Sequence, residues 1–274
     1  MRRAIFVVLG FVLGLGLLSA CVGTVMSDGD RRFPLPEDYP PGMMAWRTDT
    51  QSGLRVLEKI RPGASLRVIV VTGTPSWPEY WAPVLAALPD SIDIVVPTRP
   101  GFGQDRTAPR SVQTDLDAQA AALAPFLDVP DGQRVIILGQ SYGTGVAILL
   151  ADLHADRVAG LMITSPFWDR LGPSARTLLA LSWPFRPILP GDFKAAIREV
   201  GARPGQTDRM AELLDGLDMP VSLITGGKDT LVAADTGARM LARIAPGVDM
   251  IHIDLPEGDH FLNACCVADL VAQI

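Results

Sequence analysis

Cysteine and histidine are both scarce in this sequence, with three of each among 274 residues. Two of the cysteines, Cys265 and Cys266, are adjacent, so the chain cannot build a disulfide scaffold even in an oxidising compartment. This pair predicts two small core thiols in a C-terminal helix, with a strained vicinal disulfide as the alternative. The histidines lie far apart and lack the spacing of metal ligands, so we expect no metal site.

An excess of positive charge is also absent, because 24 Lys and Arg stand against 30 Asp and Glu, a formal charge of -6. A protein that binds nucleic acid needs a basic face to neutralise phosphates, so we expect no nucleic-acid partner. No glycine-rich phosphate loop is present, and we expect no cofactor. The length fits one α/β domain, and no pattern indicates an oligomeric state.

The longest apolar run lies at the N-terminus, where Ala4–Leu18 follows Arg2 and Arg3. The run is shorter than the roughly 20 residues of a membrane-spanning helix, and its charged start is typical of a signal peptide. Leu18–Cys21 resembles a bacterial lipobox, which implies a lipoprotein signal peptide over 1–20 and a lipidated Cys21. That resemblance predicts a cell-envelope protein, lipid-anchored to a membrane and facing the periplasm or exterior. An ordinary signal peptide and an N-terminal anchor helix are the alternatives.

The rest of the chain divides into a tether and a folded domain. Residues 21–50, with glycine, aspartate and several prolines, predict a membrane-proximal tether, and residues 51–274 the domain. Apolar runs predict strands at Leu66–Thr72, Ile92–Val96, Arg134–Leu138, Val158–Thr164, Val221–Thr225 and Met250–Ile253. Helical patterns cover Trp77–Leu88, Ser111–Leu127, Tyr142–Leu153, Ala233–Ile244 and Phe261–Val271. This alternation predicts an α/β fold with a mostly parallel, doubly wound sheet, and the long interval at about 166–219 predicts a short helical cap.

The sequence Gly139-Gln140-Ser141-Tyr142-Gly143 follows a predicted strand and precedes a predicted helix. A G-x-S-x-G sequence in this context is typical of a nucleophile elbow, in which a strained turn lifts the serine hydroxyl above the sheet. The flanking glycines are required because a Cβ there would collide with the neighbouring strand and helix. We therefore predict Ser141 as a nucleophile, and the alternative is a plain glycine turn between strand and helix.

A serine nucleophile needs a base and a group that orients the base. His260 lies in a loop after the last strand, whereas His252 lies inside that strand and His154 near the end of a helix. His260 is therefore the predicted base. Asp229 follows the strand before it and fits the chain order Ser, acid, His, so we predict it as the acid ahead of Asp254 and Asp259.

Acyl transfer also needs N–H donors for the developing oxyanion. The backbone N–H of Tyr142, directly after the nucleophile, is one candidate. The other is the backbone N–H of Thr74, in the loop after the first predicted strand. The alternative for that loop is an ordinary Gly-Pro turn.

Together these segments resemble the α/β-hydrolase superfamily over nearly the whole predicted domain. Thr72-Gly73-Thr74-Pro75 matches the family's His-Gly-x-Pro loop except that threonine replaces histidine. Thr98-Arg99-Pro100-Gly101-Phe102-Gly103 is similar to the Arg-x-Gly-x-Gly turn, with Thr98 where many members carry aspartate. Gly227-x-Asp229 and Gly258-x-His260-Phe261 match as well. The resemblance implies a serine hydrolase and, since the nucleophile is Ser141, not a haloalkane dehalogenase or epoxide hydrolase, which use aspartate.

These features predict a hydrolase acting on a small-molecule acyl substrate, a carboxylic ester or a related compound, through an acyl-enzyme on Ser141. Amidase, thioesterase, carbon–carbon hydrolase and cofactor-free perhydrolase activities use the same machinery and stay open. A non-catalytic envelope lipoprotein that binds through this fold is the alternative, favoured by the departures at Thr72 and Thr98. The apolar side chains of the predicted cap either line a pocket or pack the cap onto the domain.

Overall fold

The structure, a computed structural model, describes residues 34–103, 113–244 and 247–274. The predicted signal peptide over 1–20, the lipidation site Cys21 and the first part of the tether lie outside the described residues. None of the helices in these three ranges is both long and apolar enough to cross a membrane.

The centre of the fold is an eight-stranded sheet with the order β1-β2-β4-β3-β5-β6-β7-β8. Strands β3 to β8 are parallel to one another, and β2 runs antiparallel to β1 and to β4. The strands are β1 Ala45–Thr48, β2 Arg55–Lys59, β3 Leu66–Val71, β4 Ile92–Pro97, β5 Arg134–Gln140, β6 Val158–Thr164, β7 Val221–Gly226 and β8 Met250–Leu255. The predicted fold class and the six predicted strands are confirmed, with small shifts at the C-terminal ends.

Strands β1 and β2 were not predicted from the sequence. β1 is short and mostly exposed, so it carries no apolar run, and β2 has only two apolar residues, with charged residues on both sides of them. The sheet therefore begins at Ala45, ahead of the predicted domain boundary at residue 51, and β1 belongs to the stretch assigned to the tether.

Helices cover both faces of the sheet. They are α1 Ala82–Ala87, α2 Leu116–Leu123, α3 Gly143–Leu153, α4 Pro173–Ser182, α5 Gly191–Ala202, α6 Thr207–Asp215, α7 Thr236–Leu241, α8 Leu262–Cys265 and α9 Val267–Val271. Short 3-10 helices lie at Pro36–Asp38, Pro78–Trp81, Ala124–Leu127, Trp183–Ile188 and Arg203–Gly205. α2 is capped by Asp115, whose carboxylate accepts from the N–H groups of Asp117 and Ala118, and the predicted cap Ser111 lies outside the described residues.

Two apolar clusters sandwich the sheet. One joins it to α2, α3, α6 and α7, and the other joins it to α1, α8 and α9. α3, which follows the predicted elbow, is buried from Gly143 to Ala151, so its N-terminus is fixed by packing on all sides. Burial of apolar side chains on both faces explains why the parallel strands are apolar throughout.

The predicted C-terminal helix is interrupted at Cys266, which separates α8 from α9. Cys265 and Cys266 are free thiols that pack, half-buried, against the second cluster. Burial raises the pKa of the Cys265 thiol to about 12, so it stays protonated and unreactive at neutral pH.

The interval between β6 and β7 contains α4, α5 and α6 with two of the 3-10 helices. We call residues 166–219 the cap segment. It leaves the sheet at the carboxyl end of β6, beside the predicted elbow, and so lies where ligands bind in open α/β sheets.

Candidate active site

Ser141 occupies the turn between β5 and α3 with a φ of 51°, in the left-handed region that side chains other than glycine rarely adopt. A Cβ on Gly139 would lie 2.6 Å from the Ala147 Cβ, and one on Gly143 would lie 2.2 Å from the Val71 carbonyl oxygen. The predicted reason for the two glycines is therefore confirmed. The strain at Ser141 is held by tight packing between α3 and β3.

His260 and Asp229 meet at the same edge of the sheet, in the loops after β8 and β7. The His260 Nδ1 lies 2.7 Å from the Asp229 Oδ2, and both side chains are buried. The other carboxylate oxygen, Oδ1, accepts the N–H groups of Leu231 and Val232 at 2.8 and 3.1 Å. Because the carboxylate is fixed on both oxygens, it holds the imidazole with a proton on Nδ1, which leaves Nε2 as the basic nitrogen.

The other candidate acids and His252 have partners elsewhere, and His154 lies at the far end of α3. Asp254 accepts from the Thr225 hydroxyl at 3.1 Å, and Asp259 accepts from the Phe261 N–H at 2.7 Å. His252 lies in β8, as predicted, and its Nε2 is 2.8 Å from the same Thr225 hydroxyl.

Ser141 and His260 line one cavity of about 460 Å³, together with Gly73 and Thr74. Most of its wall is apolar, contributed by the sheet edge on one side and the cap segment on the other. Cap residues in the wall are Phe167, Leu171, Ala175, Leu178, Leu179, Ser182, Leu189, Pro190, Phe193, Ala196, Ile197 and Val200. Some apolar cap residues therefore line the cavity, whereas Trp168 is buried in the core and packs the cap onto the domain. Trp183 and Ile188 do neither, because both are exposed.

Two amides, in Gln140 and Asn263, are the main polar side chains of the wall besides Ser141 and His260. The Gln140 Nε2 donates to the Asn263 Oδ1 at 3.1 Å, and the Asn263 Nδ2 donates to the Tyr80 carbonyl at 2.7 Å. No charged side chain among the described residues lines this cavity apart from His260 when it is protonated.

The loop with Thr74 is braced without the histidine of the related motif. The hydroxyls of Thr72 and Ser76 are 2.6 Å apart, and the Ser76 hydroxyl accepts the backbone N–H of Arg99 at 2.9 Å. The N–H groups of Thr74 and Tyr142 donate to no group within the described residues, and Thr74 lines the cavity. The threonine at position 72 therefore preserves the support of the loop.

Two buried arginines beside the site carried no predicted role. The Cζ atoms of Arg99 and Arg203 lie 5.1 and 4.1 Å from the centroid of the Tyr142 ring. Arg203 also donates to the Tyr142 carbonyl, and burial lowers its pKa to about 10. Arg99 forms a fully buried ion pair with Glu199 of α5. The Arg-x-Gly-x-Gly motif is the one sequence signal that includes Arg99. No motif includes Glu199 or Arg203, so their place beside the site could not be predicted.

A serine on a strained strand-to-helix turn, with a bonded His–Asp pair at the carboxyl edge of a mostly parallel sheet, defines the α/β-hydrolase class of protein. The sequence agrees, because residues 68–272 match the alpha/beta hydrolase family. The chain belongs to that family, and it is a hydrolase.

Curated relatives carry different hydrolase names. Lipase LipV from Mycobacterium tuberculosis is 30% identical over 110 residues, which cover 40% of this chain and 41% of that lipase. Haloalkane dehalogenase 2 from the same species is 24% identical over 273 residues, covering 84% of this chain and 92% of the relative. Pimeloyl-(acyl-carrier protein) methyl ester esterase from Neisseria meningitidis is 26% identical, covering 65% of this chain and 81% of the esterase.

Solved structures with this fold include a meta-cleavage product hydrolase from Pseudomonas fluorescens, with a TM-score of 0.63 and 16% identity, covering 84% of this chain and 96% of that one. A thioesterase domain from the curacin biosynthetic pathway has a TM-score of 0.60 and 16% identity, covering 84% and 98%. At these identities the likeness shows the fold alone.

Proposed function

We propose that the protein hydrolyses a carboxylic ester or a related acyl compound through an acyl-enzyme on Ser141. The observation that carries this proposal is the 2.7 Å bond between His260 and Asp229 at the wall of the cavity that Ser141 also lines. A binding protein would have no use for a strained serine and a base with its tautomer fixed in one cavity, next to two backbone N–H groups that donate to no described residue.

The reaction follows from these groups. The Ser141 hydroxyl attacks the substrate carbonyl while the His260 Nε2 takes its proton, and the Asp229 carboxylate stabilises the resulting imidazolium. The negative charge that develops on the carbonyl oxygen accepts the N–H groups of Thr74 and Tyr142. The intermediate then expels the alcohol, which takes the proton from His260. A water molecule, deprotonated by the same nitrogen, attacks the acyl-enzyme and releases the acid.

The cavity favours an uncharged, apolar acyl group. Its 460 Å³ is within the range of about 300–1,000 Å³ that is usual for small-molecule sites. The amides of Gln140 and Asn263 lie in a mostly apolar wall and can form hydrogen bonds with a polar group of the substrate.

Serine at position 141 separates this protein from the chemistry that two of its relatives are named for. Haloalkane dehalogenases and epoxide hydrolases use aspartate as the nucleophile, and no carboxylate stands at the elbow here. Thioesters and carbon–carbon bonds remain open to a serine triad, and esters are the substrates that we expect to react fastest.

The test is a stopped-flow assay with p-nitrophenyl butyrate. We expect a burst of p-nitrophenol equal to the enzyme concentration, followed by slower steady turnover, because the acyl-enzyme accumulates. Ser141→Ala should abolish both phases. Ser165→Ala is the matched control, since Ser165 is also buried with a positive φ of 43° but lies outside the cavity wall. Equal loss in both variants, or a folded wild type that does not hydrolyse the ester, would refute the proposal.

We further propose that Cys21 carries a lipid that anchors the protein to a membrane of the bacterial cell envelope. The support is the sequence context of Leu18–Cys21 after a basic, apolar start. Several acyl chains on one cysteine would hold the acidic domain at the membrane, since each buried CH₂ contributes about 0.8 kcal/mol. Metabolic labelling with an alkyne fatty acid should mark the wild type and the Cys265→Ser control, and it should not mark Cys21→Ser. Labelling that persists in Cys21→Ser would exclude this anchor.

A further inference from the structure

Arg99 uses all five of its N–H groups inside the protein. Its side chain is fully buried, and its Nε and Nη2 donate to the carbonyl oxygens of Thr72 and Gly73 at 2.8 and 2.7 Å. Nη1 donates to the Gln119 Oε1 at 2.7 Å, and the two Nη atoms hold the Glu199 carboxylate at 2.5 and 2.9 Å. A guanidinium with every donor satisfied is fixed in position and direction.

The Gly73 carbonyl belongs to the same peptide group as the Thr74 N–H. A trans peptide is planar, so its C=O and N–H point in opposite directions, and the only cis bond in the described residues is the next one, Thr74–Pro75. Because Arg99 binds the Gly73 oxygen, the Thr74 N–H on the opposite side of the peptide points away from Arg99. Arg99 also polarises the peptide, which strengthens that N–H as a donor.

The second donor is fixed in a different way. The Tyr142 N–H shares its peptide with the Ser141 carbonyl, which accepts the backbone N–H groups of Phe167 and Thr144 at 3.1 and 3.2 Å. That peptide is held by neutral main-chain groups, whereas the Thr74 peptide depends on a charged side chain. The charged side chain is in turn held by Glu199, which belongs to the cap segment.

We propose that Arg99 is a positioning residue that orients and polarises the Gly73–Thr74 peptide of the oxyanion hole, and that Glu199 couples this function to the seating of the cap. The inference rests on the proposed function, because it requires an oxyanion to form. When α5 packs against the domain, the Glu199 carboxylate binds both Nη atoms of Arg99, and the Thr74 N–H is held in its orientation. When the cap segment moves away from the domain, Arg99 loses this carboxylate and the Thr74 N–H is no longer held.

The test compares variants of the full chain. Arg99→Met combined with Glu199→Leu removes both members of the ion pair, so neither is left without the other, while buried Arg203 keeps its bond to the Tyr142 carbonyl. Glu199→Gln keeps the volume of the side chain but gives up the ion pair. Asp117→Asn is the matched control, because Asp117 also forms a bidentate pair with a cap arginine, Arg209, at 2.6 Å, but in solvent and away from the loop.

The readouts separate alignment of the donor from binding of the substrate. They are the burst with p-nitrophenyl butyrate, kcat and KM for that ester, and the Ki of an alkyl trifluoromethyl ketone, which forms a tetrahedral oxyanion on the serine. Loss of a complete oxyanion donor costs about 10²–10³ in kcat, so we expect its misalignment in the double variant to cost about 10–100-fold. The Ki should rise by the same factor, KM should stay within about threefold, and Asp117→Asn should match the wild type.

Each outcome decides a different point. A folded wild type that does not hydrolyse the ester would overturn the proposed function and this inference with it. An active wild type with kcat and Ki unchanged in the folded double variant would overturn the role of Arg99 alone. If the double variant does not fold, Glu199→Gln and Arg99→Lys decide by the same criteria, because lysine keeps the charge but has three donors in place of the five that Arg99 uses.

Discussion

The His260 Nδ1 and the Asp229 Oδ2 are 2.7 Å apart, and the second oxygen of Asp229 is occupied by two backbone N–H groups. This arrangement leaves Asp229 no freedom to rotate. The backbone groups fix which oxygen faces the imidazole, and that oxygen fixes the tautomer of the base.

Asp229→Asn should therefore keep the fold and lose the activity. An asparagine would keep its oxygen on the Leu231 and Val232 N–H groups and turn its NH₂ toward His260, which favours the tautomer with the proton on Nε2. By analogy with other serine triads we expect kcat to fall about 10³–10⁴-fold. Asp254→Asn, which changes the acid bonded to Thr225, is the control and should stay within about twofold of wild type. A kcat within tenfold of wild type in Asp229→Asn would mean that another group orients the base.

Gly143→Ala tests the packing that creates the elbow. The new Cβ would meet the carbonyl oxygens of Val71 and Thr72 at 2.2 and 2.5 Å, so β3 and α3 must separate. We expect the free energy of unfolding to fall by about 1–3 kcal/mol and the ester activity to be lost. In Gly201→Ala on α5, the new Cβ would have no heavy atom within 4 Å. We expect this variant to raise the free energy of unfolding by about 0.5–1 kcal/mol. Urea denaturation of both variants gives the comparison, and equal effects would contradict the account.

The apolar cavity predicts a dependence on acyl chain length. Each buried CH₂ contributes about 0.8 kcal/mol, so kcat/KM should rise up to about fourfold per methylene from acetate toward hexanoate before it levels off. Ala175→Phe on the cavity wall should reduce the preference for hexanoate over acetate about tenfold, while the exposed Ala180→Phe on the same helix should not. A flat chain-length profile for the wild type would rule out this cavity as the acyl site.

Glu79, beside the cavity, predicts a pH-dependent change in stability. Burial raises the pKa of Glu79, the neighbouring Asp192 adds to this rise, and Arg55 opposes it. A raised folded-state pKa favours the protonated side chain, so its stabilisation is complete below the unfolded pKa and is lost as pH rises through the folded value. Glu79→Gln should thus be more stable than wild type at pH 7.5, and this advantage should shrink toward pH 4. Thermal melts at both pH values measure this, with exposed Glu212→Gln as the control. A difference in Tm between Glu79→Gln and wild type that does not change with pH would contradict the prediction.

The parallel part of the sheet could be predicted because buried strands are continuous apolar runs, as Leu66–Val71 and Arg134–Leu138 show. The elbow could be predicted because the collisions at Gly139 and Gly143 require glycine on both sides of the serine. The His260 and Asp229 pair followed from its place after two strands whose carboxyl ends share one edge.

The remainder depends on contacts between distant segments. Arg99 and Glu199 lie 100 positions apart, and no local pattern links a turn after β4 to a helix of the cap. Strand β1 could not be predicted because an exposed edge strand carries no apolar signal. Which cap side chains face the cavity depends on how α4 and α5 pack against the sheet edge, and that packing is a contact between segments far apart in the sequence.

Labelling with a fluorophosphonate probe, followed by peptide mass spectrometry, shows directly whether Ser141 is an activated nucleophile. We expect one adduct, on Ser141, that disappears in Ser141→Ala while the fold is retained. A folded wild type that takes up no probe, or takes it up at another residue, would contradict the account and favour a binding protein built on the hydrolase fold.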